Sequence, residues 1–319
     1  MSRHTPTTLA LDLGNSTLAV GIFAGEQLVT HVTLPVAKHS PQALAAKVAK
    51  LVNARPRTAD APPTEARRNQ SSHSRLLWTD AAATTPRTIK GPLALCSVVP
   101  ALTEPLCDAL ESALGTRPRL LTPRARHGLK LNYRRPAQLG ADRLAAALGA
   151  RKLYPQQNLI VVDCGTATTL TFISRDGVLL GGAILPGLGL WADALARATA
   201  QLPKVTLPKT AHSAARSPQT ARTVAKVRAH APAQPQPLPA VATDTAGAIR
   251  AGLLYGHAGA IRALVQRGSR DAFGPRDANA QPIVIGTGGQ APLLAAESDF
   301  TVSEPALTLH GLQAFAASH

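Results

Sequence analysis

A chain of 319 residues, 45% of them hydrophobic and 16% charged, is long enough to bury two cores, since domains run to about 150 residues. No apolar run approaches the ~18 residues of a membrane helix, and the N-terminus lacks a signal-peptide core, so a soluble, cytoplasmic protein without membrane contacts is expected. The net charge of +16 is concentrated in residues 54–90, 117–135 and 201–243, which leaves 14 of the 34 basic and 15 of the 18 acidic residues in a near-neutral body.

The first elements form a meander. Leu9, Leu11 and Leu13 mark a strand that runs into Asp12, Gly14 and Asn15; Leu18, Val20 and Ile22 alternate in a second strand; Gly25 turns the chain; Gln27 to Leu34 makes a third. Pro41 to Asn53 carries Leu44, Val48, Leu51 and Val52 on one helical face. Ala54 to Lys90 is rich in Pro, Ala, Ser, Thr and Arg and is read as a flexible insertion. Leu93 to Val99 is a predicted strand. Leu102, Leu106, Leu110 and Leu114 mark a helix, Leu120 and Leu121 a short strand, and His127 to Gln138 a polar loop.

Around Asp142 a helical run begins, with Leu139, Leu144 and Leu148 among alanines, and Pro155 ends it. Leu159 to Val162 is a buried strand with Asp163 at its end. Thr168, Leu170 and Phe172 alternate, Asp176 and Gly177 supply a hairpin turn, and Val178 to Leu185 is a third strand. Leu188, Trp191, Leu195 and Leu202 mark an amphipathic helix, followed by a second flexible insertion from Val205 to Val241. Asp244 to Gln266 is an Ala/Gly-rich helix, Ile283 to Ile285 a strand running into Gly286–Gly289, and Pro292 to Ala296 the start of a helix. Cys96, Cys107 and Cys164 form no CxxC pair and are expected as buried free thiols, not as a disulfide framework or a zinc site.

The segments LALDLGNSTLAVGIFAG and IVVDCGTATTLTFISRDG share an Asp-x-Gly at the first bend and a glycine turn at matching distance. Such an internal repeat predicts two similar domains facing one another, with two carboxylates and two glycine-rich bends in the cleft, a place for a metal-bound phosphate. The chain resembles the type III pantothenate kinases, the Bvg accessory factor family, within the broad superfamily of hexokinase and actin. The matching pieces are Asp12–Thr17 (DLGNST), SVVPALT from Ser97, Gly140–Arg143 (GADR), Asp163–Thr169 (DCGTATT), Gly181–Gly187 (GGAILPG), Thr287–Ala291 (TGGQA) and Leu307–Leu312 (LTLHGL), in family order over nearly the whole chain. The fold implied is α/β: two ribonuclease-H-like (actin/hexokinase-type) domains related by internal duplication, with mixed sheets flanked by helices. The expected division is 1–138 and 139–319, with the flexible Pro/Ala/Arg-rich insertions at 54–90 and 205–241.

The resemblance implies ATP-dependent phosphorylation of pantothenate, the first step toward coenzyme A, by a homodimeric, potassium-using kinase. Asp142 would be the proton acceptor. Pantothenate would meet Tyr133, Gly140, Ala141, Asp142 and Arg143, with Thr245 reaching it from the partner subunit. The nucleotide would meet Asp12, Leu13, Gly14, Asn15, Ser16, Thr17, Leu18 and Ala19, together with Thr166; Asp12 would hold Mg2+, and Asp163 a monovalent cation, K+ or NH4+. The residue types suit these tasks: a carboxylate accepts a hydroxyl proton, an arginine binds a carboxylate, and amides beside glycine approach phosphate oxygens.

Blander readings stand beside these. Asp142 and Arg143 could be a helix-start acid with a surface partner, each worth less than ~1 kcal/mol. Asp12 could cap a hairpin, and Thr245 could be an N-cap. GTGGQA after a strand fits a dinucleotide-binding pattern, although too little chain follows for a second βα unit. The alternative function is a transcriptional regulator of the Bvg accessory type; the absence of a helix-turn-helix signature and a 3% aromatic content weigh against direct nucleic-acid binding.

Overall fold

The structure, a computed structural model, describes residues 7–53, 91–207, 238–274 and 281–318. The insertion expected at 54–90 lies outside these residues, as do residues 208–237 of the one expected at 205–241. The chain divides into two compact units, Met1–Leu120 and Leu121–His319. Among the described residues no helix is long and apolar enough to cross a membrane.

The first unit is built as the leucine alternation predicts. Strands β1 (Thr7–Leu13), β2 (Thr17–Ala24) and β3 (Gln27–Pro35) form an antiparallel meander. Gly25 closes the second turn at φ 61°, a region that glycine enters without a Cβ clash. Helix α1 (Pro41–Asn53), β4 (Leu93–Ser97), α2 (Pro100–Leu114) and β5 (Arg119–Leu120) follow, and the sheet order is β3-β2-β1-β4-β5. Leu9, Leu11 and Leu13 point to the face covered by Leu44 and Val48 of α1 and Leu106 and Leu110 of α2. By strand alternation Asp12 therefore lies on the opposite face. The SVVPALT segment is a helix entry: the Ser97 hydroxyl accepts from the Val99 amide at 3.1 Å and from the Thr103 hydroxyl at 2.7 Å, ahead of Pro100 in the first turn of α2.

The second unit repeats this plan and adds to it. Its elements are β6 (Lys130–Leu131), α3 (Ala141–Leu153), β7 (Leu159–Cys164), β8 (Ala167–Ile173), β9 (Val178–Pro186), α4 (Leu188–Ala198), α5 (Thr245–Phe273), β10 (Ile283–Thr287), α6 (Ala291–Leu294), β11 (Val302–Ser303) and α7 (Leu307–Ala317). The sheet order is β11-β10-β7-β8-β9-β6. Read from its meander, β9-β8-β7-β10-β11 matches β3-β2-β1-β4-β5, including the parallel pairing of the last strands. The duplicated α/β architecture inferred from the two Asp-x-Gly segments is present. Helices α4 and α5 cover one face of this sheet through Leu188, Ala192, Ile249, Leu253 and Ile261, while α3 packs on the other and α7 packs on α3.

Several boundaries differ from the sequence reading. The units divide at Leu120, not at 138, because Lys130 and Leu131 pair in parallel with Val178 and Leu179 and draw the supposed polar loop into the second sheet. Helix α4 ends at Ala198, so Leu202 packs from beyond it. Helix α5 continues past Gln266 to Phe273, and α6 is one short turn instead of the start of a longer helix. The sequence reading assigned no element to β11 or α7.

Helices α3 and α7 meet backbone to backbone. A Cβ on Gly149 would lie 2.1 Å from the Leu307 carbonyl oxygen, and one on Gly311 would lie 1.8 Å from that of Ala145. Gly252, in α5, would meet nothing within 4 Å. Glycine substitutions should therefore have opposite signs at these sites. Gly311→Ala should lower unfolding free energy by about 1–3 kcal/mol through overpacking, whereas Gly252→Ala should raise it by about 0.5–1 kcal/mol through helix propensity. Urea unfolding of the two variants checks this, and an undiminished Gly311→Ala protein would show that the crossing is not tight.

Candidate functional site

In the first unit, Asp12 sits at the end of β1, opposite Ala19 of β2 and Cys96 of β4. The Cys96 thiol donates to Asp12 Oδ1 at 3.2 Å. The bend that follows is tight: the Gly14 amide donates to the Thr17 carbonyl at 2.9 Å, which commits that amide, and the Ser16 carbonyl accepts from Val36 N at 3.0 Å. Asn15, Ser16 and Thr17 are exposed and Gly14 and Ala19 half-buried, whereas Leu13 and Leu18 are fully buried core residues. A Cβ on Gly14 would make only an ordinary contact, 3.5 Å from the Thr17 oxygen. Packing within the unit does not require glycine there.

The equivalent bend in the second unit is one residue shorter. Asp163 lies between Thr169 of β8 and Thr287 of β10, and the Gly165 amide donates to Ala167 O at 3.1 Å. Two further glycines close in on it. A Cβ on Gly288, whose φ is 86°, would fall 2.3 Å from Asp163 Oδ1, and one on Gly187 would fall 2.5 Å from the Thr166 carbonyl oxygen. Gln290 joins the pieces: its amide donates to Cys164 O at 2.9 Å, and its side-chain oxygen accepts from Leu188 N at the start of α4 at 3.1 Å. The TGGQA stretch is thus a bracket around the end of β7. With only the four residues of α6 behind it, it does not form a dinucleotide-binding βα unit. Cys164 is buried in the α4/α5 core, where burial and the neighbouring Asp163 charge push its thiol up to about 12. It is a core residue, as strand alternation predicts.

A second cluster in this unit surrounds the start of α3. Gly140 is the N-cap, and a Cβ there would fall 2.4 Å from Asp142 Oδ1, so glycine lets the carboxylate fold back over the helix entry. Asp142 Oδ1 also accepts from the Arg143 amide at 2.7 Å. Arg143 is not the surface partner of the blander reading: it is 7% exposed, the only buried lysine or arginine among the described residues. Its Nη1 donates to the Tyr133 hydroxyl at 2.9 Å, its Nε to Thr171 Oγ1 at 3.1 Å and its Nη2 to Leu170 O at 3.4 Å. The guanidinium carbon lies 5.9 Å from the Tyr133 ring centroid. These partners are neutral, and no ion pair neutralises Arg143 among the described residues. A buried cation without a counter-ion is costly, which makes this a place for an anion.

Tyr133, Gly140, Asp142 and Arg143, named separately from the sequence, therefore come together, with Ala141 as the first residue of the helix. Thr245 does not join them: it is exposed in the first turn of α5, and no hydrogen bond among the described residues ties it to Arg143 or Tyr133. Nor is it the N-cap. That residue is Asp244, whose side chain accepts from Gly247 N at 2.8 Å. Sequence reasoning gave no role to Cys96, Thr171, Gly182 or Gln290, whose contacts described above are with residues distant in the chain. Gly182 and Gln290 lie in the GGAILPG and TGGQA motifs, and Thr171 in a run of threonines within an otherwise apolar strand.

His257 of α5 was also missed. It is fully buried, its Nε2 is 2.9 Å from Thr168 Oγ1, and it meets Trp191 edge to face at 5.0 Å, while Nδ1 has no partner among the described residues. Burial disfavours its charged form and lowers its pKa from 6.5. The unfolded chain then binds the extra proton more readily, so this contribution to stability is present above pH 6.5 and is lost as pH falls toward the folded value. His257→Gln should flatten the pH dependence of the melting temperature below pH 6.5; an unaltered slope would show that another group titrates there.

The sequence profile described as type III pantothenate kinase matches residues 57–267. Similar curated proteins include a type III pantothenate kinase of Legionella pneumophila (strain Paris), 37% identical over 228 residues, which is 72% of this chain and 77% of the relative. Another, from Moorella thermoacetica, is 30% identical over 306 residues, 96% of each chain. Among solved structures the chain is similar to a ROK hexokinase from Thermus thermophilus at a TM-score of 0.43 and 13% identity, covering 97% of this chain and 98% of that one. Two relatives at 37% and 30% identity that align with most of this chain, together with a family profile spanning its middle, settle the lineage: this chain belongs to the type III pantothenate kinase family.

Proposed function

We propose that the protein transfers the γ-phosphoryl group of ATP to the primary hydroxyl of pantothenate, giving ADP and 4'-phosphopantothenate, the first step of coenzyme A biosynthesis. The observation that carries this reading is the buried Arg143 guanidinium, without an ion-pair partner among the described residues, one residue from the Asp142 carboxylate. Pantothenate has a carboxylate at one end and a primary hydroxyl at the other, so one cation and one proton acceptor match its two functional ends.

In the reaction the hydroxyl oxygen forms a bond to the γ-phosphorus as the bond to the ADP oxygen breaks, and the hydroxyl proton passes to Asp142. Phosphoryl transfer runs through a loose transition state, so the oxygen needs positioning more than early deprotonation. Asp142, held over Gly140 at the helix entry, is suited to receive that proton late. Arg143 and the Tyr133 hydroxyl would hold the carboxylate, and Thr245 of a second copy would complete the site, which makes the enzyme a homodimer.

On the nucleotide side, Asn15, Ser16 and Thr17 form the exposed bend after Asp12, and Thr166 occupies the matching bend of the second unit. Gly14 leaves space that the fold itself does not use. Among the described residues no group of three or more His, Cys, Asp or Glu could cage a metal ion. A single carboxylate fits Mg2+ that arrives on a triphosphate, since that ion is commonly held by one or two carboxylates and the phosphates. Asp12 would hold it, and it would offset phosphate charge. Asp163, bracketed by Gly288, would hold K+ or NH4+. The described cysteines are all buried and unbridged, in keeping with a reducing cytoplasm.

A coupled assay of ADP release with pantothenate and ATP tests the reading. Asp142→Asn should lower kcat by about 10²-fold or more, the range for losing a proton acceptor, with an unchanged melting temperature; full turnover in that variant would remove Asp142 from the mechanism. Replacing K+ by Na+ should slow the wild-type enzyme, and Asp163→Asn should erase the difference between the two salts. Equal rates of the wild type in both salts would dismiss the monovalent cation.

A further inference from the structure

Thr171 lies on β8, 1% exposed, and its hydroxyl is the acceptor for Arg143 Nε. That bond constrains the guanidinium plane, because Nε belongs to the planar group but sits next to the stem of the side chain. The neighbouring Leu170 carbonyl receives Nη2. Across the β8–β9 ladder, Thr171 is opposite Gly182. A Cβ at Gly182 would fall 2.4 Å from Arg143 Nη2 and 1.8 Å from Leu170 O. The strand pair therefore forms a slot, open because one residue has no side chain, with a hydroxyl on the other strand to hold what enters it.

We propose that Thr171 is a positioning residue for substrate selection: it fixes the Arg143 guanidinium in the slot left by Gly182, so that N–H groups on the Nη atoms are presented together to a carboxylate. Selection of an acid over its neutral amide then depends on Thr171 as well as on Arg143. This rests on the reading of Arg143 as the carboxylate-binding residue. An arginine free to swing would still attract an anion, but it would lose the paired geometry that distinguishes a carboxylate from a carboxamide.

The test compares pantothenate with its primary amide as phosphoryl acceptors in the wild-type enzyme and in Thr171→Val, Thr171→Ser and Arg143→Gln. Valine keeps the shape of threonine and removes the acceptor. In Thr171→Val the KM for pantothenate should rise about tenfold, the size expected for one hydrogen bond to a charged group, while kcat and the KM for the amide stay as in the wild type. Thr171→Ser, which keeps the hydroxyl, should restore the preference for the acid. If the two KM values rise together, or kcat falls equally for both acceptors, Thr171 is a packing residue and the proposal fails. It also fails if Thr171→Val keeps the wild-type preference while Arg143→Gln loses it. Should Arg143→Gln keep the preference too, the carboxylate is bound elsewhere and the underlying reading of Arg143 falls with it. Thermal melts of each variant separate these outcomes from loss of folded protein.

Discussion

The backbone crossing of α3 and α7 is the constraint on which the second unit depends. Helix α3 carries Asp142 and Arg143 in its first turn, and its position on the sheet is set where Gly149 meets Leu307 and Gly311 meets Ala145. Helices that approach so closely cannot slide past one another without steric conflict, because even a methyl group would enter the opposing backbone. Beyond the crossing, the Lys152 ammonium donates to Gln313, and the Tyr154 hydroxyl donates to Glu304 at 2.6 Å. Burial, followed by the Glu304 bond, raises the phenol pKa, so Tyr154 stays protonated as a donor. The C-terminal helix therefore holds the helix whose other end bears Asp142.

The glycines of the motifs divide by what surrounds them. Gly182, Gly187, Gly288 and Gly311 are demanded by atoms already in the fold, since a side chain would collide with a carbonyl, a carboxylate or a guanidinium. Gly14 and Gly165 are not, for each would meet only ordinary contacts at 3.5 Å or more. They occupy equivalent bends in the two units, after Asp12 and Asp163. A glycine that packing does not require is one whose open space can serve an approaching ligand.

Arg143 shows how charge and burial together single out a residue. The exposed Arg117 has three acidic neighbours, Glu104, Asp108 and Glu111, in contacts of 2.6 to 2.9 Å, and such surface pairs contribute little. Among the described residues Arg143 has no acid paired with it, and it is almost unexposed. Its hydroxyl and carbonyl partners orient the guanidinium without neutralising it, in keeping with the role proposed for it.

Much of the fold was legible in the chain because it rests on local periodicity. The alternating leucines of β1 and β2, the four-residue spacing of α2 and the repeated Asp-x-Gly segment are short-range patterns, and both meanders and the duplication follow from them. What local pattern could not supply was pairing. Lys130 and Leu131 look like part of a polar loop until they lie beside Val178 and Leu179, and that pairing moves the unit boundary. The acids, Arg143 and Tyr133 were readable as candidates from their motifs, but not the state of Arg143, which spacing alone would have left on the surface. Its burial, its bond to Thr171 and the slot at Gly182 arise from residues far apart in the chain. Sequence determined which chemical groups the protein has and which turns bear them; only tertiary contact decided which are shielded from water, because desolvation and close approach depend on neighbours brought in by the sheet.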